Sequence, residues 1–176
     1  MKVWKVTEHR ELMAELIKLF EVHTYVEIGI RKAQTFNMLA PLVKRAVAVD
    51  NVDWGRIAQL PNVEKFIMTS EQFSKTWKDP IDMLFIDADH SKQAVLADVD
   101  RLAPFVREGT GLILLHDTYP VAESLITPGY CDNAWEAAWT IRRSPKYKDF
   151  EIVTLPGPYA GLSIIRKAPK HLCWRH

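Results

Sequence analysis

Four short apolar runs in this 176-residue chain each finish in polar or ionisable side chains. VEIGI brings Glu27 and Gly29, AVAVDN brings Asp50 and Asn51, LFIDADH brings Asp87, Asp89 and His90, and LLHDT brings His116, Asp117 and Thr118. Carboxylates accept hydrogen bonds and ligate hard cations, while an imidazole titrates near neutral pH or binds a metal through either ring nitrogen. A buried carboxylate with no partner costs several kcal/mol. These groups are therefore expected to meet a ligand, a metal or solvent along one rim of the fold.

Spacing narrows the chemistry. Gly29 precedes Asp50 by 21 positions, close to the interval at which an acidic residue ending a second strand reaches the ribose hydroxyls of a nucleoside. A carboxylate capping the next helix is the alternative, and both readings stay open for Asp50. The intervening loop does not suit pyrophosphate. G-x-G-x-x-G needs glycines for the turn and for close approach, whereas this loop reads Gly29-Ile30-Arg31-Lys32-Ala33. A nucleoside ligand without phosphates fits it better. His116 reads either as a site residue or as a hydrogen-bonded histidine at a strand end, and His90 either as a cofactor contact or as a helix cap.

Hydrophobic periodicity supplies the elements that must position these residues. Leu12, Leu16, Leu19 and Phe20 recur at helical spacing and predict a first helix over about 8–21, with Thr7 as its N-cap. Residues 24–30, 45–50, 63–69, 81–88 and 111–117 form short apolar runs, which is how strands buried on both faces read. Helices are predicted over 35–44, where Pro41 bends or ends the helix, over SEQFSKTW, and over KQAVLADVDRLAPFV with Ser91 as cap. Strands alternating with helices imply βαβ units and a parallel sheet covered on both faces. A helix around NAWEAAWTIRR then precedes FEIVTLP and GLSIIRK, and the short GPYA turn makes these two runs antiparallel neighbours. The sum is one α/β domain over 1–176, a mostly parallel sheet finished by a hairpin, whose ligands bind beyond the carboxyl ends of the strands.

Charge and composition exclude several classes. With 23 Lys plus Arg against 22 Asp plus Glu, a net charge of +1 supplies no field for polyphosphate, so nucleic acid is not an expected partner. Cys131 and Cys173 stand alone, without metal or disulfide spacing, which points to a reduced, cytoplasmic compartment. Charges from Glu8 to Lys18 interrupt the N-terminal apolar residues, so neither a signal peptide nor a membrane span is expected.

Residues 24–167 resemble the class I S-adenosylmethionine-dependent methyltransferases. VEIGIRKAQTF is similar to their first motif and AVAVDN to their second. The most specific signal is the run IDMLFIDADHSKQAVLADVDRLAPFVREGTGLILLHDT. It resembles a subgroup of metal-dependent O-methyltransferases of catechols and macrolide sugars, which also includes cephalosporin-hydroxylase-like proteins. The resemblance implies a Rossmann-like, doubly wound sheet in the order 3-2-1-4-5-7-6 with a C-terminal antiparallel hairpin.

The resemblance also implies S-adenosylmethionine as cofactor. Glu27 and Gly29 would line its methionine side, Asp50 with Asn51 would hold the ribose, Ser70 would lie near the adenine, Asp87 with Ala88 beneath the sulfonium, and His90 against the cofactor. Asp87 and Asp117 match positions that ligate a divalent metal, Mg²⁺ or Mn²⁺, in the metal-dependent members. His116 stands where those members more often carry a carboxylate or amide, and serves either as a third ligand, favouring Mn²⁺, Fe²⁺ or Zn²⁺, or as a general base. Asp89 is a second candidate catalytic group. Where the family usually has a second glycine this chain has Ala33; if the position needs φ > 0, its Cβ costs about 1–2 kcal/mol and crowds the cofactor. Segment 118–134 is long for a connection and is the candidate substrate lid, with Tyr119 and Tyr130 as acceptor contacts.

The activity so implied is metal-assisted O-methylation of a small hydroxylated molecule, in a chain that pairs with itself or with a partner protein. The alternatives are a catalytically weakened S-adenosylmethionine-binding or interaction protein on the same fold, and a metal-dependent oxygenase of the cephalosporin-hydroxylase-like type.

Overall fold

A computed structural model of the chain describes residues 9–157 and 160–169. The helices are α1 (His9–Leu19), α2 (Gln34–Leu39), α3 (Ser70–Thr76), α4 (Lys92–Leu102) and α5 (Ala134–Arg143). The strands are β1 (Thr24–Ile28), β2 (Arg45–Asp50), β3 (Val63–Ile67), β4 (Met83–Ile86), β5 (Leu112–His116), β6 (Phe150–Leu155) and β7 (Leu162–Lys167). They form one seven-stranded sheet in the order β3-β2-β1-β4-β5-β7-β6, parallel except where β7 runs antiparallel to β5 and β6. The expected order and the closing hairpin are both present.

Side-chain alternation along each strand builds two cores. Val26 and Ile28 of β1 point to the face covered by α3, α4 and α5, where they meet Phe73, Val99 and Ile141. Tyr25 points to the other face, with Met13 and Ile17 of α1 and Phe36 and Leu39 of α2. The central strands are buried except at their ends, whereas β3 and β6, at the sheet edges, are half-buried.

Local chemistry sets the helix ends. Ser91 Oγ accepts from the Ala94 N–H, as expected of a cap, and Thr69 and Gln72 form a capping box at α3. Prolines 41 and 104 turn the ends of α2 and α4 into short 3-10 segments. The expected cap Thr7 and the cysteine Cys173 lie outside the described residues. Among the described residues, no helix is long and apolar enough to cross a membrane.

Candidate active site

Parallel register brings the reactive strand ends together. Ile28 pairs with Ile86, and Ile86 with Leu115, so the following residues, Gly29, Asp87 and His116, form a row at the carboxyl edge of three adjacent strands. Gly29 adopts φ 90°, and a Cβ there would collide with the Asp87 carbonyl oxygen. Glycine is thus what lets the first loop pass beside the end of β4. Consecutive strand residues normally face opposite sides of a sheet. Asp117 breaks that alternation with a left-handed backbone (φ 60°), and its carboxylate returns beside His116.

The loop after β1 is organised by Asp50. Its Oδ2 accepts from the Ile30 N–H at 2.8 Å, the Arg31 N–H at 3.3 Å and the Trp54 indole at 3.0 Å, while Oδ1 accepts from the Val52 N–H at 2.9 Å. Asp50 is therefore a loop organiser as well as a rim residue. Ala33 sits in the left-handed region (φ 55°, ψ 20°), so the backbone demand expected at this position is real. Its methyl group is buried in the core between α1 and α2.

A cleft of about 770 Å³ opens along this rim, within the range of small-ligand sites. Glu27, Gly29, Asp50, Asn51, Ser70, Asp87, Ala88 and His90 all line it. Burial holds the Glu27 carboxyl well above the usual carboxylate range, and its Oε2 accepts from Tyr25 Oη at 2.5 Å. Ser70 Oγ donates to Asp98 Oδ1 at 2.5 Å. Asp98, a buried carboxylate on α4 that also lines the cleft, has its pKa raised, chiefly by burial.

One ligand atom each from Asp87, His116 and Asp117 lies within 4.8 Å of the other two. His116 Nδ1 stands 3.3 Å from Asp87 Oδ1 and 3.2 Å from Asp117 Oδ2, yet this buried nitrogen makes no hydrogen bond. His90 Nε2 is 3.3 Å from Asp87 Oδ1 and 3.1 Å from Asp117 Oδ2, and its Nδ1 meets the Tyr130 carbonyl.

Electrostatics binds this group together. Burial disfavours charge on His116, but the Asp117 and Asp87 carboxylates outweigh it and push the pKa up to about 10. The same balance takes His90 to about 9. Burial works against ionised Asp87, yet the two imidazoles beside it hold its carboxyl well below the usual range. Cys131 donates to Asp117 Oδ1 at 3.4 Å, and burial pushes its thiol up to about 12.

Other expected residues fall differently. Asp89 lines the cleft, but its Oδ1 accepts from the Ser91 N–H at 2.8 Å and it stands outside the Asp87, His116 and Asp117 group. Segment 118–134 reaches the cleft through Pro128, Gly129 and Asp132, whereas Tyr119 and Tyr130 are exposed and do not line it. His9 was not anticipated by sequence spacing. Its Nδ1 lies 3.2 Å from His116 Nε2, across 107 positions of chain. Burial, followed by the charge of His116, lowers its pKa to about 4. Trp54 and Asp98 also gave no signal, since each acquires its role only through contacts between elements.

Comparison with known proteins identifies the class. The family described as Methyltransferase domain matches residues 26–118, more than half of the chain, and the chain belongs to that family. No curated protein matches it. Among solved structures it is similar to the O-methyltransferase from Bacillus cereus in complex with SAH, at 19% identity over 93% of this chain and 81% of that one, with a TM-score of 0.66. It is also similar to the O-methyltransferase TomG from Streptomyces achromogenes, involved in tomaymycin synthesis and solved with SAM, at 15% identity, 92% and 80% coverage and TM-score 0.69. An rRNA methylase from Streptococcus thermophilus matches at 14% identity, 96% and 100% coverage and TM-score 0.70. At these identities the likeness is one of fold, and that fold carries unrelated acceptor classes.

Proposed function

We propose that this methyltransferase takes its methyl group from S-adenosylmethionine and delivers it to a hydroxyl of a small polar acceptor, beside a divalent cation held by Asp87, His116 and Asp117. The observation that carries the reading is His116 Nδ1, a buried nitrogen 3.3 Å from Asp87 Oδ1 and 3.2 Å from Asp117 Oδ2, three ligand atoms of a metal-like donor set gathered at one point of the rim. Two carboxylates and an imidazole aimed at one another need a cation between them, either a proton or a metal. This donor set of oxygen and imidazole suits Mn²⁺, Fe²⁺ or Zn²⁺ better than Mg²⁺.

The cleft fits the donor in kind. Gly29 lets the first loop run hard against the end of β4, and both line the cleft where the methionine portion would lie. The second lone pair of Asp50 Oδ1 is left for a ribose hydroxyl, beside Asn51. The Ser70 hydroxyl donates its hydrogen bond to Asp98 and offers its lone pairs to an adenine amine. Asp87, Ala88 and His90 line the same cleft, and a sulfonium beside them would favour the ionised Asp87. In the transfer, the acceptor oxygen attacks the methyl carbon while the carbon–sulfur bond breaks. The sulfur keeps that electron pair and leaves as the thioether of S-adenosylhomocysteine.

A bound divalent cation would lower the pKa of an acceptor hydroxyl, so that its proton is released to solvent water and the oxygen is left as the nucleophile. The chain's own residues hold and orient. His116 is assigned as a ligand rather than a base, because between two carboxylates its imidazole keeps a proton at neutral pH in the absence of a metal. Asp89, tied to the start of α4 with a lowered pKa, is a poor proton acceptor. Proximity and alignment in the cleft supply much of the acceleration.

Calorimetry with S-adenosylmethionine, with and without Mn²⁺, tests the reading, followed by transfer of labelled methyl to pools of catechols and sugars. Stoichiometric donor binding and cation-dependent transfer are expected; no binding at millimolar donor under either condition would overturn it. Two imidazoles beside two carboxylates are also a donor set that iron takes. An iron content near one per chain in protein purified without chelator, together with no methyl transfer, would favour the oxygenase reading instead.

A further inference from the structure

We propose that His9, at the start of α1, is a positioning residue for the cation site, fixing which nitrogen of His116 is presented to Asp87 and Asp117. The inference rests on the cation reading above. His116 can give Nδ1 to a cation only when its ring proton sits on Nε2, because a neutral imidazole carries one proton. That Nε2 lies 3.2 Å from His9 Nδ1, and the two rings are packed with centroids 4.3 Å apart.

The far side of the His9 ring completes the arrangement. Its Nε2 lies 3.4 Å from Thr35 Oγ1, on the first turn of α2. With the His9 proton on Nε2 and donated to Thr35, Nδ1 is left as a lone pair that accepts the His116 Nε2–H. Phe85 of β4 packs against both rings, with centroids 5.7 Å from His9 and 6.1 Å from His116, so neither ring is free to swing. A metal-ligating histidine commonly donates its other N–H to a fixed acceptor, and losing that acceptor typically costs about 10–100-fold in metal affinity. Here the acceptor is a second imidazole brought from a helix more than a hundred positions away.

The test is Mn²⁺ affinity of the donor-free chain, read from the electron paramagnetic resonance signal of free Mn²⁺. His9→Ala is expected to weaken binding by about 10–100-fold. In His9→Asn the side-chain Oδ1 takes the place of Nδ1 and keeps the acceptor, so most of the affinity should return. His9→Gln reaches only the Nε2 position and should behave as His9→Ala does. Equal affinity in wild type and His9→Ala overturns the inference and leaves the cation reading standing. Equal losses in His9→Ala and His9→Asn assign His9 to packing and overturn it too. A wild-type chain that takes up no Mn²⁺ removes the cation reading and this inference together.

Discussion

On the β1–β2 side of the rim both oxygens of Asp50 are occupied by the chain's own N–H groups. On the β4–β5 side Asp87, His90, His116 and Asp117 crowd at 3.1–3.3 Å, with one buried ring nitrogen left without a hydrogen bond. The first half is a preformed cradle whose Asp50 carboxylate is held in place by four hydrogen bonds before any ligand arrives. The second half is a cluster of two carboxylates and two imidazoles that balances only while both rings hold an extra proton or a metal cation replaces one. On the proposed function, the first half would receive the nucleoside of the methyl donor and the second would hold the cation.

The strongest way to break this contrast is Asp87→Asn. Removing a ligand should cost more than removing an outer partner, so Mn²⁺ affinity is expected to fall by more than about 100-fold, and methyl transfer with it. Unchanged Mn²⁺ binding would remove the charge cluster from the chemistry. Asp50→Ala is the matching change on the other side. It deletes four loop contacts, and we expect about 1–2 kcal/mol lower stability by denaturant unfolding, with donor affinity reduced by about tenfold or more. Mn²⁺ affinity should stay as it was. A parallel loss of Mn²⁺ binding would show that the two halves are not separate.

Acidity sharpens the comparison further. The folded pKa values of His116 and His90, about 10 and about 9, lie above the ordinary value of 6.5. The stability they contribute is therefore fully present below about pH 6.5, shrinks above it and is gone once pH passes about 10. The melting temperature of the metal-free chain should fall between these limits. Mn²⁺ replaces the proton at His116, so its affinity should rise over the same window and saturating Mn²⁺ should flatten the fall. Asp87, whose folded pKa is depressed, contributes above its ordinary value and loses that contribution as pH falls below it.

Much of this molecule was legible in the chain, for physical reasons particular to each part. Strands buried on both faces must be apolar throughout, so β1, β2, β4 and β5 announce themselves, and the polar residue after each marks the rim. Pro41 marks the end of α2 because it lacks a backbone donor, whereas the helix expected to run through Pro104 to Val106 ends as α4 at Leu102, for the same reason. The expected cofactor residues share one cleft because parallel register aligns strand ends. What the chain concealed arises from long-range closure. His9 reads as one polar residue on an amphipathic helix until α1 docks beside β5. Asp98 reads as a solvated helix residue until Ser70 meets it. The turn at Asp117 is invisible to periodicity, because alternation predicts that His116 and Asp117 face opposite ways.

Ala33 gives the smallest and most discriminating test of the cradle. Its left-handed backbone costs about 1–2 kcal/mol for a residue with a Cβ, which Ala33→Gly would relieve. Against that stand the loss of a buried methyl, about 0.8 kcal/mol, and the extra chain entropy of glycine, about 0.5–1 kcal/mol. The terms nearly cancel, so unfolding in denaturant should show a change of less than about 1 kcal/mol in either direction. Because the methyl packs into the core between α1 and α2, donor affinity measured by calorimetry should change by less than about threefold. A large gain in donor affinity would mean that the methyl intrudes on the ligand, and the first loop would then be a handicapped cradle rather than a finished one.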